Sequence, residues 1–259
     1  MSGPFVPDVG IVLSADIAVP EHEREVRFYS RVLSTGEDPL WREDLMNNLG
    51  LPVIGLGARN EEYAGLPLQW MPHIQVTDVA GSARRAVELG GSELMHGKGE
   101  DGASQWAVLT DPNGAAFGII PVVPPDSIPP LPADAPEKVG RIAWLDLTVP
   151  NADATRDFYR EVVGWSVHEV EMKDTDGAYA DYAMIAANGD GAAGICHARG
   201  PNAGLPPVWM LYLLVADFDE SLRRVEEEGG NVTKVMRGEG YTAAAVQDPV
   251  GVYFALIAG

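Results

Sequence analysis

The chain has few basic residues and almost no cysteine. Eighteen lysines and arginines stand against 38 aspartates and glutamates, which gives a formal net charge of −20 at pH 7. A surface of this sign repels phosphate backbones and anionic headgroups, so we expect neither nucleic acid nor a membrane as a partner. Cys196 is the only cysteine and cannot form a disulfide within the chain. That is typical of a reducing compartment, and we predict a cytoplasmic protein.

Several sequence signals are missing as well. No apolar run approaches the roughly 20 residues of a membrane span, and the segment 1–11 lacks the basic start and apolar centre of a signal peptide. The chain has neither the Gly-x-Ser-x-Gly turn of serine hydrolases nor a Cys-x-x-Cys pair. Serine hydrolysis and structural zinc therefore have no support in the sequence.

What is present is a sequence that occurs twice. Three segments of the first half return in the second half in the same order: Asp16–Pro20 with Phe28-Tyr29 as Asp146–Pro150 with Phe158-Tyr159, Ala64–Met71 as Ala203–Met210, and Asp111–Gly114 with Phe117 as Asp248–Gly251 with Phe254. Repeats of solenoid proteins are only roughly 20–50 residues long, and these copies are more than twice that length. The pattern predicts a duplicated domain.

A proline-rich segment separates the two copies. Seven prolines lie between residues 121 and 136, and proline stiffens an extended chain and cannot donate to a strand. We therefore predict domain 1 at residues 8–120, a linker at 121–138 and domain 2 at 139–258. Because 46% of the 259 residues are hydrophobic, each domain has enough apolar side chains for its own core.

Each half has the same predicted order of elements. A strand ending at proline (11–19; 142–149) precedes a helix (21–33; 152–163), with Asn151 as a candidate N-cap. A second strand (70–76; 209–215) precedes a second helix that ends at a Gly-Gly pair, and a hairpin around Asp-Pro-X-Gly closes the half. The fold class is α+β with paired βαβββ modules, and two such mixed sheets side by side should curl into a cup.

These features resemble the vicinal oxygen chelate superfamily, also called glyoxalase/bleomycin-resistance/dioxygenase. The resemblance is carried by Val76-Thr77-Asp78 and Val215-Ala216-Asp217 before the second helices, the Gly-Gly stops, the Asp-Pro-X-Gly hairpins, and Trp144–Leu147 followed by Gly164-Trp165. It covers both halves and implies two tandem glyoxalase-like domains. The superfamily contains lyases, epimerases, ring-cleaving dioxygenases and drug-binding proteins, so the resemblance alone does not select one activity.

The resemblance also implies where a divalent metal would be held. Carried over one at a time, the ligand positions are Ser14, Met71 and Gly118 in the first half and Trp144, Met210 and Ala255 in the second. None of these residues is an ordinary ligand of a divalent metal in such a site. We therefore expect no metal at the family position and no other cofactor.

Neighbouring residues suggest what could act in its place. Side chains two apart on a strand share a face, so Asp16 and His73 should point into the first cup as a candidate catalytic pair. In the second half we expect Trp144, Asp146, Tyr212 and Met210 to contact a ligand, and Met71 to do so in the first. Alternatively, the two aspartates bond turn backbone and His73 only lines the cup. Trp70 and Trp209 should point to the opposite face as core residues.

Three hypotheses for function follow. The leading one is a metal-independent protein that binds a small apolar or aromatic molecule, since methionine and aromatic residues occupy the emptied ligand positions. The second is a glyoxalase-like lyase or isomerase that uses His73 and Asp16, with or without a divalent metal. The third is an interaction module whose cups are packed shut. A homodimer is compatible with each of them.

Overall fold

The computed structural model describes residues 6–35, 45–46, 53–128, 141–238 and 240–259. Within these ranges the helices are α1 His22–Leu33, α2 Val79–Glu88, α3 Ala152–Val163 and α4 Phe218–Glu227. The strands of the first half are β1 Val12–Val19, β2 Leu45–Met46, β3 Val53–Ala58, β4 Met71–Val76, β5 Ser92–Lys98, β6 Ser104–Thr110 and β7 Ala116–Pro121. Those of the second half are β8 Ile142–Val149, β9 Ser166–Asp174, β10 Gly177–Ile185, β11 Gly191–His197, β12 Trp209–Val215, β13 Asn231–Gly238, β14 Tyr241–Gln247 and β15 Tyr253–Ala258.

Each half of the chain builds one mixed sheet. The strand orders are β2-β3-β1-β4-β7-β6-β5 and β13-β14-β15-β12-β8-β11-β10-β9. In each sheet the first strands of the two modules, β1 with β4 and β8 with β12, lie antiparallel at the centre. The α+β prediction of two tandem domains is confirmed, and the structure adds that modules pair within a half, which the sequence left open.

Local signals explain where the helices begin and end. The side chain of Asn151 accepts from the backbone N–H of Ala154 at 3.1 Å, and Gly164 ends α3 with a φ of 92°. Both are typical of a capped helix, and α3 has the predicted bounds. Helix α1 starts one residue later than predicted, because Glu21 is its N-cap, at a φ of 54° and without a side-chain capping bond.

The core lies between the two sheets, where the helices pack. Trp70 is fully buried and its indole N–H donates to the Tyr29 hydroxyl at 3.2 Å. Trp209 donates to the Tyr159 hydroxyl at 3.1 Å in the same way, which confirms both tryptophans as core residues. Phe28 of α1 contacts Phe254 of β15, with ring centroids 6.1 Å apart. The halves therefore share one apolar core, and the opposite face of each sheet is left to form a cup.

The predicted linker is only partly described. Pro121 is the last residue of β7, and a single 3₁₀ turn covers Pro125–Ser127. Residues 129–140 lie outside the described part of the chain, so the extent of the linker stays a prediction. None of the four helices in the described ranges is long and apolar enough to cross a bilayer.

Candidate functional site in two cups

Each sheet encloses an open cavity on the face away from the shared core. The cavity of the first half, cup 1, has a volume of about 440 Å³. The cavity of the second half, cup 2, has a volume of about 570 Å³. Both volumes are in the range of small-molecule sites, roughly 300–1,000 Å³. The described residues thus give no support to the hypothesis of cups packed shut.

The floor of cup 1 carries a row of three residues on adjacent strands. His73 of β4 lies opposite Ser14 of β1 on one side and Gly118 of β7 on the other. Nδ1 of His73 lies 3.2 Å from the Ser14 hydroxyl and 3.4 Å from Oδ2 of Asp16. The structure therefore brings His73 and Asp16 together in one cavity, and both line it.

Gly118 makes room for this imidazole. A Cβ atom at position 118 would collide with Cδ2 of His73 and lie 3.0 Å from its Nε2. Real Cβ atoms essentially never come so close to another heavy atom, so the ring would have to move if residue 118 had a side chain. The position of His73 therefore depends on the glycine at position 118, which is one of the family's metal-ligand positions.

Met71 lies on the same floor, opposite Asp16 across β1 and β4. It is 4% exposed, lines cup 1 and packs in a small apolar cluster with Leu66, Val108 and Ala116. Its side chain forms part of the apolar surface of the cup. Contact of Met71 with a ligand stays a prediction.

The floor of cup 2 carries Asp146 and Trp144, two residues apart on β8. The indole N–H of Trp144 donates to Oδ1 of Asp146 at 2.7 Å, and both residues line the cavity. Gly194 of β11 pairs with Asp146, and a Cβ there would collide with the carboxylate. Asp146 therefore has a side-chain partner rather than the turn backbone, and glycine again provides the space.

The surroundings of Asp146 raise its pKa. Burial is the main cause and the nearby charge of Asp181 adds to it, while hydrogen bonding from Trp144 and Tyr212 opposes the shift. Burial first, and then the Asp146 charge, raise the pKa of Tyr212 and of Cys196. The polar floor of cup 2 thus favours neutral forms of its titratable groups.

Met210 and Tyr212 lie beneath the floor of cup 2 rather than in its lining. They are 3% and 8% exposed and pack with Ala243, Ala245 and Ala255. Trp144 packs against this cluster from the cavity side.

 Met210 and Tyr212 are therefore separated from the cavity by Trp144. Contact of these two residues with a ligand stays a prediction.

Several cavity residues were missed by the sequence analysis. In cup 1 they are Tyr63, Met95, Gln105 and Trp106, and in cup 2 they are Met172, Asp181, Cys196, Lys234, Met236 and Tyr241. Most lie on strands whose inward face the sequence left unassigned. Lys234 and Met236 of β13 alternate, whereas Gln105 and Trp106 are adjacent on β6, so period two alone would not have found the whole lining.

One of the missed residues fastens a loop beside cup 2. The Lys234 ammonium donates to the carbonyl oxygens of Pro201 and Ala203, the latter at 3.2 Å. Arg199 forms two hydrogen bonds of 2.7 Å with the carboxylate of Asp174. These bonds hold the segment 199–203 at the wall of the cavity, where Pro201 and Asn202 line it.

The residues at the family's metal positions do not fit a divalent ion. In cup 1 they offer a hydroxyl, a thioether and no side chain, and in cup 2 an indole, a thioether and a methyl group. Across the described ranges, no group of three or more histidine, cysteine, aspartate or glutamate side chains is arranged to hold a metal. We therefore derive no chemistry through a metal at these positions.

Comparison with known proteins agrees with the fold. Residues 12–120 match the family described as Glyoxalase-like domain. A protein of Mycobacterium tuberculosis named "Putative glyoxylase CFP32" is 27% identical over 195 residues, which cover 74% of this chain and 70% of that protein. The anthracycline biosynthesis protein DnrV of Streptomyces peucetius is 26% identical over 211 residues, which cover 78% of this chain and 69% of that protein.

A solved structure shares the architecture at low sequence identity. Homoprotocatechuate 2,3-dioxygenase from Arthrobacter globiformis superimposes with a TM-score of 0.56 at 16% identity, covering 100% of this chain and 82% of that one. Likeness at this identity concerns the fold alone. Residues 141–256 match the family described as Glyoxalase/Bleomycin resistance protein/Dioxygenase superfamily, and together with the match of the first half this shows that the chain belongs to that superfamily.

Proposed function

We propose that this protein binds small apolar or aromatic molecules in its cups without a metal. The observation that carries the proposal is the combination of two open cavities with ligand positions that lack metal-binding atoms. A cavity of this size, left open opposite a well-packed core, is the usual place for a small ligand.

The lining of the cups supports an apolar ligand. Trp106 is 39% exposed at cup 1, and Tyr241 is 50% exposed at cup 2. Exposed aromatic rings beside methionines, such as Met95 and Met236, offer a large and adaptable apolar surface. The relative from Streptomyces peucetius is named for anthracycline biosynthesis, and anthracyclines are planar aromatic compounds, which favours the same class of ligand.

Binding can be tested cup by cup with 2-methoxynaphthalene as the probe in equilibrium dialysis. Trp106→Ala should weaken binding in cup 1 and Trp144→Ala binding in cup 2, each by roughly tenfold, because a stacking ring contributes on the order of 1 kcal/mol beyond its area. Leu68→Ala is the matched control, since Leu68 is 38% exposed and outside both cavities. An absence of binding to the unmodified protein, for this probe and larger aromatic compounds, would contradict the proposal.

A second candidate is a lyase or isomerase reaction in cup 1. The observation that favours it is the 3.4 Å approach of Asp16 to Nδ1 of His73. A carboxylate in this place orients an imidazole for proton transfer at its other nitrogen. His73→Ala should then abolish turnover of an aldehyde or ketone substrate while the melting temperature stays close to that of the unmodified protein. Unchanged turnover in this variant would eliminate His73 as the base.

A further inference from the structure

We propose that cup 1 selects ligands with a phenolic hydroxyl, whose hydrogen bond is accepted by Nε2 of His73. This inference rests on the proposed binding function and names the class of ligand for one of its cavities. It follows from which nitrogen of His73 carries the proton, from the space around the ring and from the apolar walls of the cup.

The oxygens around Nδ1 of His73 favour a proton on that nitrogen, because the Ser14 hydroxyl, 3.2 Å away, can accept from an Nδ1–H just as the Asp16 carboxylate can. Asp16 in its ionised form can only accept a hydrogen bond, and its Oδ2 lies 3.4 Å from Nδ1. The other oxygen, Oδ1, is buried without a hydrogen-bond partner among the described residues, so a proton on Nδ1 places a donor near a carboxylate that lacks one. A neutral imidazole with its proton on Nδ1 leaves a lone pair on Nε2.

That lone pair is open to the cavity. The side chain of His73 is 22% exposed and lines cup 1. Among the described residues Nε2 has no hydrogen-bond partner, and it is not one of the polar atoms sealed from solvent. The ring itself occupies the volume that a side chain at Gly118 would fill, which lets His73 lie at the floor of the cup. A ligand in the cup can therefore reach an unused acceptor at the floor.

The rest of cup 1 suits the body of an aromatic compound. Its remaining wall is mostly apolar and includes Leu66, Val108 and Trp106. A carboxylate ligand would meet the negative charge of Asp16 and the lone pair of Nε2, and the net charge of −20 would oppose its approach. A phenol combines an apolar ring with one good donor, which matches one acceptor in an apolar cup.

The position of His73 explains why the preference should differ from that of a metal site. Its ring lies between Ser14 and Gly118, two of the three positions that the superfamily resemblance assigns to metal ligands. A metal ion attracts the lone pairs of a ligand oxygen, whereas Nε2 offers a lone pair and requires a proton from that oxygen. The polar end of the ligand stays at the same place in the cup, but it must donate rather than accept.

The test compares 2-naphthol with 2-methoxynaphthalene, which differ by the replacement of the hydroxyl proton with a methyl group. Equilibrium dialysis at pH 7.5 should show tighter binding of 2-naphthol by about tenfold, the effect of one hydrogen bond to a desolvated acceptor. His73→Leu should remove this preference and retain binding of 2-methoxynaphthalene. Leu68→Ala, at an exposed side chain outside both cavities, is the matched control and should leave the preference unchanged.

The dialysis results distinguish a failure of phenol selection from a failure of the proposed binding function. Equal affinity for the two compounds in the unmodified protein, or a preference that persists in His73→Leu, would overturn the phenol selection while leaving the binding function intact. Binding of neither compound would overturn both. Gly118→Ala provides a second variant if His73→Leu fails to fold, because it keeps the imidazole in the chain but displaces it from the floor, and loss of the preference is again expected.

Discussion

The two cups began as copies of one sequence and now hold different polar groups at equivalent positions. In cup 1, Asp16 approaches His73 on the neighbouring strand. In cup 2, Asp146 accepts from Trp144 on its own strand, and Tyr212 occupies the place that corresponds to His73. The carboxylate has been kept while its partner has changed, so under the proposed binding function we expect the two cups to prefer different ligands.

The small residue opposite the second polar group has also diverged. Gly118 accommodates His73 in cup 1, while the equivalent Ala255 packs beneath the floor of cup 2. The glycine opposite the carboxylate is kept, since Gly55 pairs with Asp16 and Gly194 pairs with Asp146. Since each polar group depends on one glycine opposite it, exchange of these small residues is the most direct way to interfere with one cup and spare the other.

The shared core, by contrast, is nearly symmetric between the two halves. Substitution of its tryptophans should have the largest effect on the free energy of unfolding. Trp70→Ala and Trp209→Ala should each lower the free energy of unfolding by about 3–5 kcal/mol, because both rings are buried and hydrogen-bonded to a buried tyrosine. Urea denaturation measures both losses. Trp106→Ala, which removes an exposed ring, should lower the free energy of unfolding much less. Markedly unequal losses for Trp70→Ala and Trp209→Ala would show that the two halves of the core are not equivalent.

The two halves of the core differ at Glu25. Substitution of this residue should have the next largest effect on the free energy of unfolding. Glu25 is fully buried, and its carboxyl group lies within hydrogen-bonding reach of that of Asp248. Burial, with the nearby charge of Asp248, raises its pKa to about 8. The equivalent residue in the second half is Thr155, whose hydroxyl donates to the Asn151 carbonyl at 3.0 Å and accepts from Asn113 at 3.0 Å.

The pH dependence follows from the sign of this shift. Between the ordinary glutamate pKa and about 8, the folded protein holds a proton on Glu25 that the unfolded chain has lost, so the free energy of unfolding falls as pH rises through this range. Glu25→Gln should therefore stabilise the protein at pH 8 by on the order of a few kcal/mol, with the gain vanishing near pH 4. Thr155→Val serves as the control, and a gain independent of pH would contradict the assignment.

Exchange of the small floor residues should have a smaller effect on stability and a selective effect on ligands. Gly118→Ala should cost about 1–3 kcal/mol, because the new methyl group displaces His73. Ala255→Gly, the reverse exchange in the second half, should cost about 0.5–1 kcal/mol through backbone entropy. Thermal denaturation and the dialysis assay measure both effects, and an unaltered preference for 2-naphthol in Gly118→Ala would count against the role of His73.

The smallest effect is expected at the wall of cup 2. Lys234 occupies the place that Met95 has in cup 1, so Lys234→Met makes the two cups more alike. Loss of its bonds to Pro201 and Ala203 should change the free energy of unfolding by less than about 0.5 kcal/mol, since the ammonium is accessible to solvent. Affinity of cup 2 for 2-methoxynaphthalene should rise, and a fall would show that the fastened loop is needed for binding.

The sequence predicted the main strands and helices and the polar pair on the floor of cup 1. Strand β8 and helix α3 have the predicted bounds because proline, Asn151 and Gly164 mark their ends. Two-residue spacing on strands brought Asp16 and His73 together as predicted. The same rule could not show that Met210 and Tyr212 lie under Trp144, because the register between β8 and β12 and the depth of the cup determine which inward side chains reach the cavity.

The central claim is that ligands bind in the cups without a metal. The most direct measurement is the affinity for 2-naphthol after exhaustive treatment with a chelator, compared with the affinity after addition of nickel, zinc, manganese or ferrous iron, with metal content determined in each sample. We predict the same affinity throughout and no ion retained in stoichiometric amount. Binding that disappears on chelation and returns with one bound ion per chain would contradict the account.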